Sequence, residues 1–292
     1  MTRMETVGIL HAGEMGAALG AALRARGHEV LWASEGRSER TATRAASGGL
    51  RDTGSVDELA GECQIAISVC PPHAALDVAA TVAETGFSGI FVDANAISPA
   101  TSNAVAERVT AGGATYVDAG IIGPPPSATA ETRLYLSGDV AHAVADLFDG
   151  TPVRATVLDE PAGAASALKM TFAGWTKGTA ALLLTVQAAA RAHGVEGALL
   201  DEWAASIPEL ANRSRTAARS AATKGWRWVG EMEEIAATLA SVELPAGFHQ
   251  AAAEVFRRSP DLNAETLDEN ILDSVLTAIL GPGSTPDRCT PT

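Results

Sequence analysis

A chain of 292 residues is long enough for two domains with a substantial buried core. Its formal charge of −14 suits neither nucleic acid nor an anionic membrane, since both are bound through clustered Lys and Arg. Hydrophobic residues make up 47%, charged residues 19% and aromatics only 4%, a globular composition whose helices pack through small side chains.

The first predicted element is the strand "TVGIL", followed by the helix "GEMGAALGAALRARG", which Gly27 ends. "EVLWA" is the second strand. "QIAISVC" (64–70), "GIFVDA" (89–94) and "TYVDAG" (115–120) are further short apolar strands. Between them, "HAALDVAATVAETG" and "PATSNAVAERVTAGG" have helical spacing and a terminal glycine. "TRLYLSGD" and "RATVLD" read as the last strands. Buried strands alternating with crossover helices imply an α/β fold with a doubly wound, mostly parallel sheet.

From Glu160 onward the strand signals stop. "PAGAASALKMTFAGWTKGTAALLLTVQAAARAHG" is a helix of about nine turns, opened by Pro161 and ended at Gly194. It is apolar on most faces and must be covered on most sides, which points to a homodimer with intertwined helical domains. "ALLDEWAASIPELANRSRTAARSA", "WVGEMEEIAATLASV", "AGFHQAAAEVFRRS" and "NAETLDENILDSVLTAIL" are all helical in pattern. The expected organisation is a dinucleotide-binding domain over 1–159, an all-α substrate and dimerisation domain over 160–280, and a disordered Gly/Pro/Thr-rich tail over 281–292. Cys63, Cys70 and Cys289 are odd in number and lack metal-type spacing, which argues against a disulfide framework or a structural metal. With no signal-like apolar run at the N-terminus and no stretch of ~18 apolar residues, the expectation is a soluble cytoplasmic protein.

The opening stretch "TVGILHAGEMGAAL" carries a glycine fingerprint with one departure. Gly13 lets the backbone approach a pyrophosphate, and Gly16 lets helix and strand pack closely. His11 stands where the first glycine is usual, so the turn is unusual. His11, Ala12, Gly13, Glu14 and Met15 would surround the phosphates at the helix N-terminus. Past the second strand comes "WASEGRSERT". Arg37, Ser38 and Arg40 suit a 2′-phosphate, because guanidinium pairs with phosphate bidentately. Glu35 suits a free ribose, and Ser38 equally suits a helix cap. The reading is NADP(H) preferred, NAD(H) possible.

"GILHAGEMG", "VCPPHAA", "VDANAISPAT", "YVDAGIIGPPP" and "GAASALKM", in this order, resemble the β-hydroxyacid dehydrogenase family. That family includes 6-phosphogluconate dehydrogenase and the hydroxyisobutyrate dehydrogenases, with imine reductases as relatives. "GPPP", "TRLYLSG" and "LKMTFAGWTKG" resemble a subgroup with a 6-phosphogluconate dehydrogenase-like C-terminal domain. The resemblance implies a Rossmann-type domain, a nicotinamide cofactor and oxidoreductase activity. It places Cys70, Pro71 and Pro72 at the end of the fourth strand, where the cofactor crosses, and Asn95 near the nicotinamide ribose. Lys169 falls where the family has its catalytic lysine. Such a lysine moves a proton on the substrate oxygen once desolvated, or keeps its charge and polarises a carbonyl.

Two departures bear on the substrate. Ile121 or Ile122, ahead of Gly123, stands where the family often has a serine that holds a carboxylate. Ala173 stands where it usually has an asparagine, and Lys177 is a possible substitute partner. The segment "WRWVGEMEEIAATLASVELPAGFH" resembles the one that closes over substrate. There Glu231 or Glu234 is placed to face the cleft, and Trp175, Trp226, Trp228, Phe248 and His249 to form an aromatic wall. These readings imply hydride transfer on a small alcohol or carbonyl of the 3-hydroxyacid kind. The alternatives are imine reduction and a nucleotide-binding sensor without turnover.

Overall fold

In the computed structural model, which describes residues 4–263 and 267–281, eight strands form one sheet. They are β1 (Thr6–Ile9), β2 (Glu29–Trp32), β3 (Arg51–Asp52), β4 (Ile65–Ser68), β5 (Ile90–Asp93), β6 (Thr115–Ile122), β7 (Thr132–Ser137) and β8 (Val153–Val157). Their order is β3-β2-β1-β4-β5-β6-β7-β8. β1 to β6 run parallel, whereas β7 pairs antiparallel with β6, Gly120 opposite Tyr135. This is the doubly wound arrangement expected, with the order reversing between β1 and β4.

Alternation along the strands sends side chains to two cores. Ile9, Trp32, Ile67, Val92 and Val117 pack on one face, joined by Leu19 and Leu23 of α1 (Glu14–Arg26) and Ala45 of α2 (Glu39–Ser47). Leu10, Leu31, Ala66, Phe91 and Tyr116 pack on the other. There they meet α3 (Val56–Glu62), α4 (Ala75–Glu84) and α5 (Pro99–Ala111) through Leu59, Val82 and Val105. A short 3-10 turn, Pro72–Ala74, precedes α4, and α6 (Ala141–Asp146) joins β7 to β8.

The sequence reading missed β3 and α3. β3 has only two residues, too few for any periodicity, and α3 is announced chiefly by its capping box, Ser55 with Glu58.

By contacts the chain divides into two compact units, Met1–Met170 and Thr171–Thr292. The division falls inside the long helix α7 (Ala164–Ala192) rather than just before it. The second unit continues with α8 (Glu196–Ser206), α9 (Leu210–Ala240), α10 (Gly247–Arg258) and α11 (Ile271–Leu280). α9 runs unbroken through "TKGW", where two helices were expected. Gly225 there is buried close to the Phe256 carbonyl of α10, so the glycine serves helix packing rather than a break. The expected disordered tail lies outside the described residues, apart from Gly281. Among the described residues no helix is long and apolar enough to cross a membrane.

Candidate functional site

The turn after β1 is held by sterics. A β-carbon on Gly16 would lie 2.0 Å from the His11 carbonyl oxygen, so only glycine lets α1 start this close to the strand. Gly13 differs, since a β-carbon there would meet nothing within 4 Å. The fold itself does not demand a glycine at 13, which is what a space kept for an approaching ligand would look like. His11 is not among the positive-φ residues, so this turn does not need the usual first glycine.

Gly13 is also the N-cap of α1 and offers no side chain to the first-turn amides. In the same unit Ser38, Ser55 and Ser98 cap α2, α3 and α5 with their hydroxyls. Ser38 accepts from the Thr41 amide, so its hydroxyl is committed to the cap. Glu14 is exposed and faces Arg44 at 3.8 Å, while the Met15 side chain packs on the core, leaving their amides as the groups that face the turn.

Three buried polar atoms gather at the carboxyl edge of the sheet without a hydrogen-bond partner: His11 Nδ1, Arg37 Nε and Asp93 Oδ2. Burial, with the nearby Arg37 cation, lowers the His11 pKa to about 4, so its imidazole is neutral. Asn95 ties the ends of β4 and β5 together. Its side chain accepts from the Cys70 amide at 2.5 Å and donates to Ser68 Oγ at 3.1 Å, while its own amide donates to Asp93 Oδ1. Burial pushes the Cys70 thiol up to about 12, so it is no nucleophile. Burial, helped by nearby Asp118, raises Asp93 to about 7.

The second half of the site is built on β6. Asp118 is fully buried, and its Oδ2 accepts from the Gly163 and Ser166 amides and from Ser137 Oγ. Its Oδ1 accepts from Ser102 Oγ and Ser166 Oγ. Gly163 precedes α7 and has no side chain, so a carboxylate 45 residues earlier caps the helix in its place. Two residues along the strand, Gly120 allows the close approach, since a β-carbon would lie 2.6 Å from the Ala165 carbonyl oxygen and 3.1 Å from Lys169 Cβ. Lys169 Nζ then donates to the Ile121 carbonyl oxygen at 2.8 Å. Ile121 and Ile122 are buried and Gly123 is exposed.

Residues 6–149 match the family model described as the NAD binding domain of 6-phosphogluconate dehydrogenase. The first unit is thus similar to NAD-binding domains of that kind. Residues 190–259 match a domain of unknown function, DUF1932. An uncharacterized 28.5 kDa protein of Methanothermus fervidus is 32% identical over 174 residues, 59% of this chain and 66%, just under two thirds, of its own length. A solved structure of a conserved protein of unknown function, described as similar to 3-hydroxyacid dehydrogenases, is 28% identical. It covers 87% of this chain and 97% of its own, with a TM-score of 0.66. The 3-hydroxyisobutyrate dehydrogenase of Salmonella typhimurium shares the fold at 18% identity and TM-score 0.69, over 93% of this chain and 98% of its own. For an NAD(P) cofactor the residues of the NAD-binding domain fit: open space at Gly13, bare amides at α1, and unpartnered His11 and Arg37 atoms beside them.

In the second unit the expected substrate contacts fall apart. Glu231 is buried in an ion pair with Lys177, whose ammonium lies 5.4 Å from the Trp228 ring centroid. That pair ties α9 to α7, and Glu231 would have to leave Lys177 to meet a substrate. Glu234 is half-buried. No aromatic wall forms from the expected rings. Trp228 is buried edge-on to Phe256, while Trp175 is 70% exposed and Trp226 56%. His249 stacks edge-on with Phe248, and its Nε2 meets the Gly174 carbonyl oxygen at 3.1 Å, so its proton is held against α7. Sequence reasoning missed Asp93, Ser137 and Ser166 entirely and gave Asp118 no role.

Two measurements check this site. Asp118→Ala leaves two amides and three hydroxyls without their acceptor and should cost about 3 kcal/mol or more in urea unfolding. Asp118→Asn keeps an oxygen for the amides while the serine hydroxyls turn to accept, and should cost about 1 kcal/mol. Equal costs would remove the capping role. Asp93, with its folded pKa raised to about 7 above an unfolded value near 3.8, binds its proton more tightly when folded. Its contribution to stability is therefore full at low pH and declines as pH rises toward 7. Asp93→Asn should gain about 2 kcal/mol on wild type between pH 5 and pH 8, and a constant difference across that range would refute the raised value.

Proposed function

We propose that this protein is an NADP(H)-dependent oxidoreductase acting on a small alcohol or carbonyl substrate of the 3-hydroxyacid kind. The observation that carries the reading is the placement of Lys169, held to the Ile121 carbonyl at the carboxyl end of β6. That end lies on the same sheet edge as the uncapped α1 and the Asn95 staple. The first-turn amides of α1 would hold the pyrophosphate, and Arg37 supports the preference for a 2′-phosphate. The nicotinamide, when bound, gives or takes hydride at the substrate carbon.

Lys169 holds the substrate oxygen and either passes it a proton or polarises it as a cation. The Asp118 cap and the Gly120 close approach fix its helix, and the Ile121 carbonyl orients the ammonium. Ile121 and Ile122 supply no hydroxyl for a carboxylate, so the acid group of such a substrate needs another partner, and C=N reduction stays as the second reading. The free, buried Cys63 supports a reducing, cytoplasmic setting.

We infer a homodimer as well. Phe172, Trp175, Leu182 and Val186 lie on one face of α7 and are all exposed, an apolar stripe suited to a second copy. Sedimentation should give about twice 29.8 kDa, and a monomer at micromolar concentration would contradict it.

The function is tested by titrating NADPH calorimetrically, then following its oxidation by stopped flow across a panel of carbonyls and imines. With the substrate so found, Lys169→Ala should slow the chemical step by ~100-fold or more while NADPH affinity holds. Unchanged chemistry would remove the lysine's role. Tight NADPH binding with no oxidation anywhere in the panel would favour a sensor.

A further inference from the structure

The proposed function leaves one motif position without a task, the histidine at the head of the fingerprint. His11 follows β1, and Arg37 reaches it from the loop between β2 and α2 closely enough to oppose its protonation. The Nδ1 of one and the Nε of the other are both buried without a partner. The same guanidinium influences Cys70 at the end of β4, which also senses Asp93 at the end of β5. On their own elements, Glu14 is turned toward Arg44, and Glu35 is exposed with its amide bonded to the Gly54 carbonyl. A cation and a buried neutral imidazole with an unmet polar atom on each make a site for an anion.

Resting on the NADP(H) reading above, we propose that His11 and Arg37 together form the subsite for the 2′-phosphate of the adenosine ribose. In this subsite His11 takes up a proton from solvent when the phosphate binds. Before binding, burial and Arg37 keep the imidazole neutral, with a pKa near 4. A phosphate monoester is close to a dianion at pH 7.5, and placed between the two side chains it reverses the local field. The protonated ring then donates from both nitrogens, and Arg37 donates from its guanidinium. NADP(H) binding therefore strengthens as pH falls toward neutrality, whereas NAD(H) binding does not.

The test is isothermal titration of NADPH and NADH at pH 7.5 in three buffers of different ionisation enthalpy. The dependence of the heat on that enthalpy counts the protons taken up. Wild type should take up a substantial fraction of a proton with NADPH and essentially none with NADH. His11→Gln keeps a polar side chain without a titrating ring. It should lose the uptake and bind NADPH about tenfold more weakly at pH 7, with a much smaller change in NADH affinity. His11→Asn serves as a second variant if glutamine disturbs the turn. NADPH binding with the same proton count in wild type and both variants would overturn the proposal, and so would His11-dependent uptake that is equal for NADH. Failure to bind either nucleotide would overturn the cofactor reading itself, and the subsite with it.

Discussion

The buried carboxylate of Asp118 is the constraint on which the rest of the site depends. A helix of 29 residues begins at Ala164 with its first amides pointing into the interior of the first unit. Unmet, each such group costs about 1–3 kcal/mol. Gly163 cannot help, since it has no side chain and takes a positive φ of 100° to enter the helix. Asp118 meets the need from a strand at the centre of the fold, and three serines share its oxygens. An acceptor with this many donors permits one orientation of the helix start. Lys169, one turn past Ser166, inherits that orientation, and Gly120 sets how near to the strand it lies.

A different logic rules the carboxyl edge of β1, β2, β4 and β5. There the fold leaves groups unmet, whereas at Asp118 it meets all of them. Most buried polar atoms in folded proteins find partners, so three orphans along one edge are a departure that asks for a ligand. Asn95 keeps that edge from relaxing, because its side chain bonds β4 and its amide bonds Asp93. The site combines a rigid frame with unsatisfied polar groups, and such preorganisation lowers the cost of binding.

Much of this was legible in the sequence because it is local. Strand–turn–helix alternation, the glycines that end helices and the long apolar helix all depend on neighbours a few residues apart. What escaped depends on distance along the chain. Asp118 meets Ser102 16 residues before it and Ser166 48 residues after it, and nothing in "VDAG" announces either. The same holds for Lys177 and Glu231, 54 residues apart. Spacing put Glu231 or Glu234 toward a cleft, whereas Glu231 is buried against Lys177 of α7, a partner that spacing along α9 cannot name. The aromatic wall failed for a related reason. Composition says which rings exist, whereas only packing decides that Trp228 is covered by Phe256 and Trp175 is left exposed.

The fingerprint at residues 11 to 16 shows how one motif can hold three separate constraints. Gly16 is required by the protein itself, since the His11 carbonyl occupies the space of any side chain. Gly13 is not required by the protein at all, because the space beside it is open, so its reason lies with whatever approaches from outside. The first position demands only a backbone angle, and in this turn that angle is one an ordinary residue can adopt. A side chain there is therefore permitted by the fold, and a permitted imidazole in this place is buried among groups that lack partners. The departure from the usual pattern does not weaken the nucleotide site. It supplies the site with one more polar group than the pattern has, at the end of the turn that Arg37 faces.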